Sequence, residues 1–238
     1  EVDEILPAAG QGAIGVEVRE TDADVIEMLA AIDDPATTQC ISAERAVLAA
    51  LDECGVAEDT LVIFMSDHGE MLGDHGIYLK GPHFYDEAVR VPLVLSCPGR
   101  IESGLQSDAL VELVDLAPTL MELAGFEPTA GMQGRSLLPI CTGQADPGQH
   151  RDFVYSEYYN SWTHRHAYGT MLRTRTEKIV VYHGSEPGEL YDLSSDPDEF
   201  DNLWNDSGAR DRKLRLLKQA FDASVLSMDP LPVRRGPF

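Results

Sequence analysis

Five consecutive apolar residues, Leu61-Val62-Ile63-Phe64-Met65, run directly into Ser66-Asp67-His68-Gly69-Glu70. An unbroken apolar run of this length, bounded by polar residues, suits a strand covered on both faces, as in a parallel sheet between helices. Ligands collect beyond the carboxyl ends of such strands, where Asp67 and His68 stand. A carboxylate brings a hard oxygen and an imidazole a borderline nitrogen, so the pair is a candidate ligand set for a divalent cation. Gly69 is expected to let the backbone turn sharply after them. On spacing alone, a surface turn holding an incidental Asp and His fits the same residues.

Lys80 follows Asp67 by 13 residues, across a loop that holds Gly73-Asp74-His75-Gly76. A lysine beside a cation site can bind an oxyanion. His75 and His83 are candidate proton donors near a leaving group. Each of the three also fits a plain loop role, Lys80 solvated and the histidines bonded to loop carbonyls.

The rest of the chain sets these residues in an α/β frame. Ile14, Val16 and Val18 alternate with polar residues and predict a strand. Val25, Met28, Leu29 and Ile32 predict a helix, and Pro35 opens a second that Gly55 ends. Val91 to Ser96 reads as another buried strand. From Asp108 to Ala124 an apolar stripe runs through Leu110, Leu113, Val114, Ala117, Leu120, Met121 and Ala124, with a helix start at Asp115 and Pro118. A Gly/Pro-rich stretch, Gly125 to His150, reads as a connection between domains. Alternating segments at 153–159, 170–175 and 178–182 predict an antiparallel sheet. A last helix, 211–226, places Leu214, Leu217, Phe221 and Val225 on one side. The expected architecture is a partial, mostly parallel sheet with helices on both faces, then a small antiparallel α+β subdomain. The expected division is 1–50, 51–150 and 151–238.

Charge narrows the partners. The 238-residue chain has 18 Lys and Arg against 41 Asp and Glu, a net charge of −23, and a field of that sign repels nucleic acid and anionic membranes. No apolar run approaches the roughly 18 residues of a membrane span, and no signal-peptide pattern is present. Cys40, Cys54, Cys97 and Cys141 are scattered without CxxC spacing, which predicts buried free thiols in a reducing, cytoplasmic setting. Gly10-Gln11-Gly12-Ala13-Ile14-Gly15 matches a dinucleotide fingerprint in letters only, because a strand follows it where a helix N-terminus is needed.

The stretch Asp59 to Glu70, then Leu72-Gly73-Asp74-His75-Gly76, Lys80-Gly81 and Phe84-Tyr85-Asp86-Glu87-Ala88-Val89-Arg90-Val91-Pro92-Leu93, closely resembles the sulfatase family of the alkaline-phosphatase superfamily. Val114 to Leu120, Gly134-Arg135-Ser136-Leu137, Glu189-Leu190-Tyr191-Asp192-Leu193, Asp196-Pro197 and Asn202-Leu203 continue it in family order, from roughly Leu51 to the end. The resemblance implies an alkaline-phosphatase-like fold and metal-dependent hydrolysis of a small-molecule sulfate ester. Asp67 and His68 would ligate a divalent metal, usually calcium, and Lys80 would contact the sulfate. His75 matches the histidine of the Gly-Asp-His-Gly stretch, as a further catalytic candidate. The family nucleophile, a cysteine oxidised to formylglycine within Cys-x-Pro-Ser-Arg, has no counterpart in this sequence, nor does a further pair of metal-binding aspartates. The chain by itself is therefore expected to be inactive.

Residues Ile5 to Arg19, with Ala43-Glu44-Arg45-Ala46, resemble a different family, porphobilinogen deaminase (hydroxymethylbilane synthase). That resemblance implies a dipyrromethane cofactor on a cysteine near the position of Cys54. The alternative expectation is thus a deaminase fragment or a non-catalytic fusion, joined near residues 46–56.

Overall fold

The structure is a computed structural model that describes residues 49–129, 131–159 and 167–227. The strand expected at 14–18, the glycine run at 10–15, most of the two N-terminal helices and the deaminase-like residues lie outside the described residues. Contacts divide the chain into two compact units, one holding residues up to Ser66 with Pro92–Ser103, the other Asp67–Val91 with residues from Gly104 onward.

In the first unit, residues 49–53 are helical. Gly55 ends that helix as expected, with φ +67°. The Gly55 amide donates to Asp52 O (3.0 Å) and the Val56 amide to Leu51 O (3.1 Å), the paired bonds of a glycine-terminated helix. Strand β1 (Val62–Met65) pairs with β2 (Leu93–Ser96), in register from Val62↔Ser96 to Met65↔Leu93. The pairing is antiparallel, which corrects the expectation of a mostly parallel sheet for the described strands. An apolar run reports how much of a strand is covered and carries no information on chain direction. Coverage is also incomplete, since Phe64 is 38% and Val94 56% exposed.

The second unit is built on a four-stranded antiparallel sheet in the order β3 (Val154–Tyr159), β4 (Tyr168–Arg173), β5 (Glu177–Tyr182), β6 (Gly188–Asp192). Three of these strands match the alternating segments of the sequence, and β6 is additional. Neighbouring residues point to opposite faces of a strand, so Leu172 and Ile179 face one side while Met171 and Val180 face the other. On the first side lies the long helix, which with Asp86–Val89 (α1), Leu116–Leu123 (α2) and Leu138–Cys141 (α3) is numbered α4 (Arg210–Leu226). Leu216, Ala220 and Ala223 of α4 are the residues that meet Leu172, Ile179 and Leu190. This corrects the helix face expected from sequence, because Leu214, Phe221 and Val225 are exposed, and only Leu217 of that set packs toward the core. The alanines let α4 approach the sheet closely, whereas a choice based on side-chain size selects the outer face.

On the other side of the sheet, Phe84 packs against Met171 and Val180, with Val89, Tyr158 and Tyr182 around them. The segment that follows the Asp-His pair is therefore seated on the sheet by its own apolar residues. Helix α2 begins after a tight turn at Leu113–Asp115, consistent with a helix start at Asp115. Asp115 is fully buried, and its carboxylate accepts from the amides of Glu112 (2.9 Å) and Arg135 (2.7 Å) and pairs with Arg151. Among the described residues no helix is long and apolar enough to cross a membrane.

Candidate functional site

Asp67, His68 and Lys80 come together in the second unit. The Lys80 ammonium lies 2.6 Å from His68 Nε2, and Asp67 Oδ2 is 3.5 Å from the same nitrogen. The other ring nitrogen, Nδ1, is 2.9 Å from Gly69 O. A carbonyl only accepts, so Nδ1 carries the proton and Nε2 is left to accept from the Lys80 ammonium, with Asp67 Oδ2 lying beside it. A backbone carbonyl that fixes the tautomer in this way is the support a metal-ligating histidine requires. Asp67 also accepts from the His68 amide (3.0 Å) through Oδ1, which turns its carboxylate toward the ring. The site is open: the side chain of Asp67 is 83% exposed and that of His68 41%.

Gly69 is needed here for space. A Cβ on it would stand 1.8 Å from the backbone oxygen of Glu87, and the Gly69 amide donates to Ala88 O (2.8 Å). The expectation of a sharp turn is replaced by a close approach of two backbones, one carrying His68 and the other beginning α1.

His75 has a different set of neighbours. Its ring stacks on Tyr85 at 3.8 Å and on Phe200 at 4.8 Å, and Nε2 is 3.9 Å from Glu87 Oε2. The side chain is only 9% exposed, and its backbone is left-handed at φ +51°. Around it the loop closes on itself, with the amides of Leu72 and Gly73 donating to Tyr78 O and Ile77 O. His83 also stacks near Tyr85, at 6.2 Å. Cys54 is exposed in the turn after the 49–53 helix, in the other unit, which corrects the expectation of buried thiols at this position, while Cys97 is buried as expected.

Beneath α1 lies an ionic cluster that carried no role in the sequence reading. Lys178, one of four lysines in the chain, is fully buried on β5. Its ammonium donates to Glu199 Oε1 (2.5 Å) and Asp86 Oδ1 (3.0 Å). Glu199 also accepts from the Asp86 amide through Oε2 (3.2 Å), and Arg173 donates to Asp86 Oδ2 (3.2 Å). Burial works to raise the Asp86 carboxyl, but Lys178 and the arginines outweigh it and hold this group below the usual carboxylate range. For Glu199 burial wins, pushing the carboxyl up to about 7 despite Lys178. The family stretch Phe84-Tyr85-Asp86-Glu87 and the Asp196-Pro197 turn mark these positions in the sequence, but only the fold brings them to one lysine.

Asp67 and His68 offer two donors of the kind a divalent cation takes, on one side of one loop. Among the described residues no group of three or more His, Cys, Asp or Glu converges as a complete cage. The pair fits a divalent ion as part of a coordination shell.

Residues 73–224 match the model of the family described as N-sulphoglucosamine sulphohydrolase, C-terminal. The chain belongs to the sulfatase family, to its C-terminal part. Arylsulfatase K of Bos taurus is 35% identical over 164 residues, covering 66% of this chain and 30% of that protein. A solved structure described as BT4656 in complex with its substrate D-glucosamine-2-N,6-O-disulfate superposes with TM-score 0.72 at 26% identity, covering 84% of this chain and 41% of that one. The phosphonate monoester hydrolase of Agrobacterium radiobacter gives TM-score 0.73 at 28% identity, covering 84% and 44%. The fold is thus the alkaline-phosphatase-like one of the sulfatases. This sulfatase chain spans less than a third of the length of the curated relatives it matches. The family match leaves residues 1–72, including the segment expected to resemble porphobilinogen deaminase, outside its range.

Proposed function

We propose that this sulfatase chain supplies the cation- and sulfate-binding part of a site that hydrolyses small sulfate esters. The observation that carries the reading is the meeting of Asp67, His68 and Lys80 around one imidazole nitrogen. Asp67 and His68 hold a divalent cation, calcium by family resemblance. A cation held by Asp67 and His68 would supply positive charge to the ester oxygens as attack at sulfur builds charge on them. Lys80 provides a second positive charge for a non-bridging sulfate oxygen. The Gly69 carbonyl keeps the His68 lone pair outward. The substrate class is a small sulfate ester, and the sulfated glucosamine bound by the BT4656 relative makes sulfated sugars the natural first candidates.

The sequence contains no Cys-x-Pro-Ser-Arg run, so binding rather than turnover is the direct test. Calorimetry with the full chain should show calcium binding that Asp67→Ala weakens at least tenfold. With calcium present, inorganic sulfate should bind the wild-type chain and fail to bind Lys80→Ala. Equal calcium and sulfate affinities in wild type and both variants would overturn the reading. An aryl sulfate should not be turned over by this chain by itself.

A further inference from the structure

We infer that Glu199 and Phe200, consecutive residues in the turn between β6 and α4, are positioning residues that clamp the loop carrying Asp67, His68 and Lys80. The inference rests on the reading of that loop as the cation and sulfate site, and adds what holds it in shape. Neither residue is near the reacting groups in sequence, and each grips the loop by a different kind of contact.

Glu199 acts through charge. It is 2% exposed and has a left-handed backbone at φ +59°, a conformation that a residue with a Cβ rarely adopts. Such strain persists only where the surroundings over-determine it. Here one carboxylate oxygen caps the Asp86 amide at the start of α1, while the other takes the buried Lys178 ammonium. Lys178 in turn holds the Asp86 carboxylate. The start of α1 is thus bound to the sheet through both its backbone and its side chain. Two residues on, Ala88 O accepts the Gly69 amide, and Gly69 O fixes the His68 tautomer. A continuous path of hydrogen bonds and backbone runs from Glu199 to the imidazole.

Phe200 acts through its ring. It closes one side of His75 while Tyr85 closes the other, so the middle of the loop is held between two aromatic planes. Tyr85 precedes Asp86 as Phe200 follows Glu199, so one turn of the chain grips the loop twice. A 70% exposed phenylalanine contributes little burial, and stacking on His75 gives it a purpose. The amides of Phe200 and Asp201 are pinned by the Asp196 carboxylate (3.1 and 2.8 Å), which keeps the turn rigid.

The test uses the full chain and variants that retain the core. Phe200→Ala should melt within about 2 °C of wild type, because the ring is exposed. It should shift the imidazole NMR signals of both His75 and His68, and weaken calcium binding about fivefold. Phe200→Tyr keeps a ring in the stack and should restore both readouts. Phe126→Ala, another exposed phenylalanine, should move neither. Unchanged His68 signals with calcium affinity within twofold in Phe200→Ala would overturn the clamp. Absence of calcium binding by the wild-type chain would instead remove the site reading, and the His68 signals would then decide the clamp alone.

Discussion

The Lys80 ammonium sits 2.6 Å from the one ring nitrogen of His68 that is free of a proton. That lone pair can face an ammonium or a divalent cation, but not both. In the proposed site, a cation would have to move Lys80 aside, and the lysine charge would then be available to a sulfate oxygen. Under that proposal the lysine is both a competitor for the cation and a partner for the anion. Removing it should accordingly separate the two affinities. Two unit charges about 4 Å apart interact by about 1 kcal/mol in water and more near a protein surface. Lys80→Ala is thus expected to tighten calcium binding by roughly five- to tenfold in the absence of sulfate, while losing sulfate binding. Calorimetric titrations of each ion would measure both changes, and a calcium affinity that falls in this variant would contradict the competition.

Gly69 and Gly131 make a matched pair for the close approach behind the site. A methyl at 69 would meet the Glu87 carbonyl at 1.8 Å, and backbone there cannot yield without moving α1. A methyl at 131 would meet nothing among the described residues within 4 Å. Gly69→Ala should cost on the order of 1–3 kcal/mol or more, as overpacking does. Gly131→Ala should be neutral or slightly stabilising. Denaturant midpoints of the two variants check this, and equal midpoints would show that the 69–87 contact is slack.

The roles expected of Asp67, His68 and Lys80 come from the family resemblance, since spacing alone fits a plain loop as well. Three of the four second-unit strands are legible from local pattern, because each signal lies within a few residues. Gly55 as a helix terminator was legible for the same reason. Strand direction was not, since Leu61 to Met65 looks alike in either orientation. The α4 face was misjudged because Leu214 and Phe221 are larger than Ala220 and Ala223, and closeness to a sheet favours the smaller residues. The Lys178 cluster draws on Asp86, Lys178 and Glu199, which are far apart in the chain, and no spacing rule joins them. His75 reads as a proton donor or as a histidine bonded to loop carbonyls, and the stacking of Tyr85 and Phe200 on its ring emerges only in the fold.

The same cluster sets a pH dependence whose sign can be worked out. Glu199 has its carboxyl raised to about 7 in the folded chain, with burial as the leading cause. A folded acid with a raised pKa binds its proton more tightly than the unfolded chain does. Its contribution is fully present below the usual glutamate range and is lost as pH climbs through about 7. Asp86 runs the other way, held low by Lys178, so its contribution is present at neutral pH and is lost as pH falls below the usual aspartate range. Thermal melts should therefore fall between about pH 5 and 7.5 in wild type. Glu199→Gln, which carries no charge at any pH, should flatten that fall and leave the acid limb in place. A wild-type melt that rises steadily over this interval would contradict the assignment.

The two faces of α4 give the last test, since they decide which residues hold the helix to the sheet. Leu216 is fully buried against Leu172, Ile179 and Leu190, with Ala220 and Ala223 along the same side. Truncating it removes several methyl and methylene groups from a packed contact that α4 cannot easily close. Leu216→Ala should cost about 2–5 kcal/mol. Phe221 is larger, and a reading from hydrophobicity would rank it first, but it is 69% exposed. Phe221→Ala should change stability by no more than about 0.5 kcal/mol. Urea unfolding of both variants measures the contrast directly. If Phe221→Ala proves the more costly of the two, α4 is rotated about its axis relative to the arrangement described, and Leu214 and Val225 would then form its inner face.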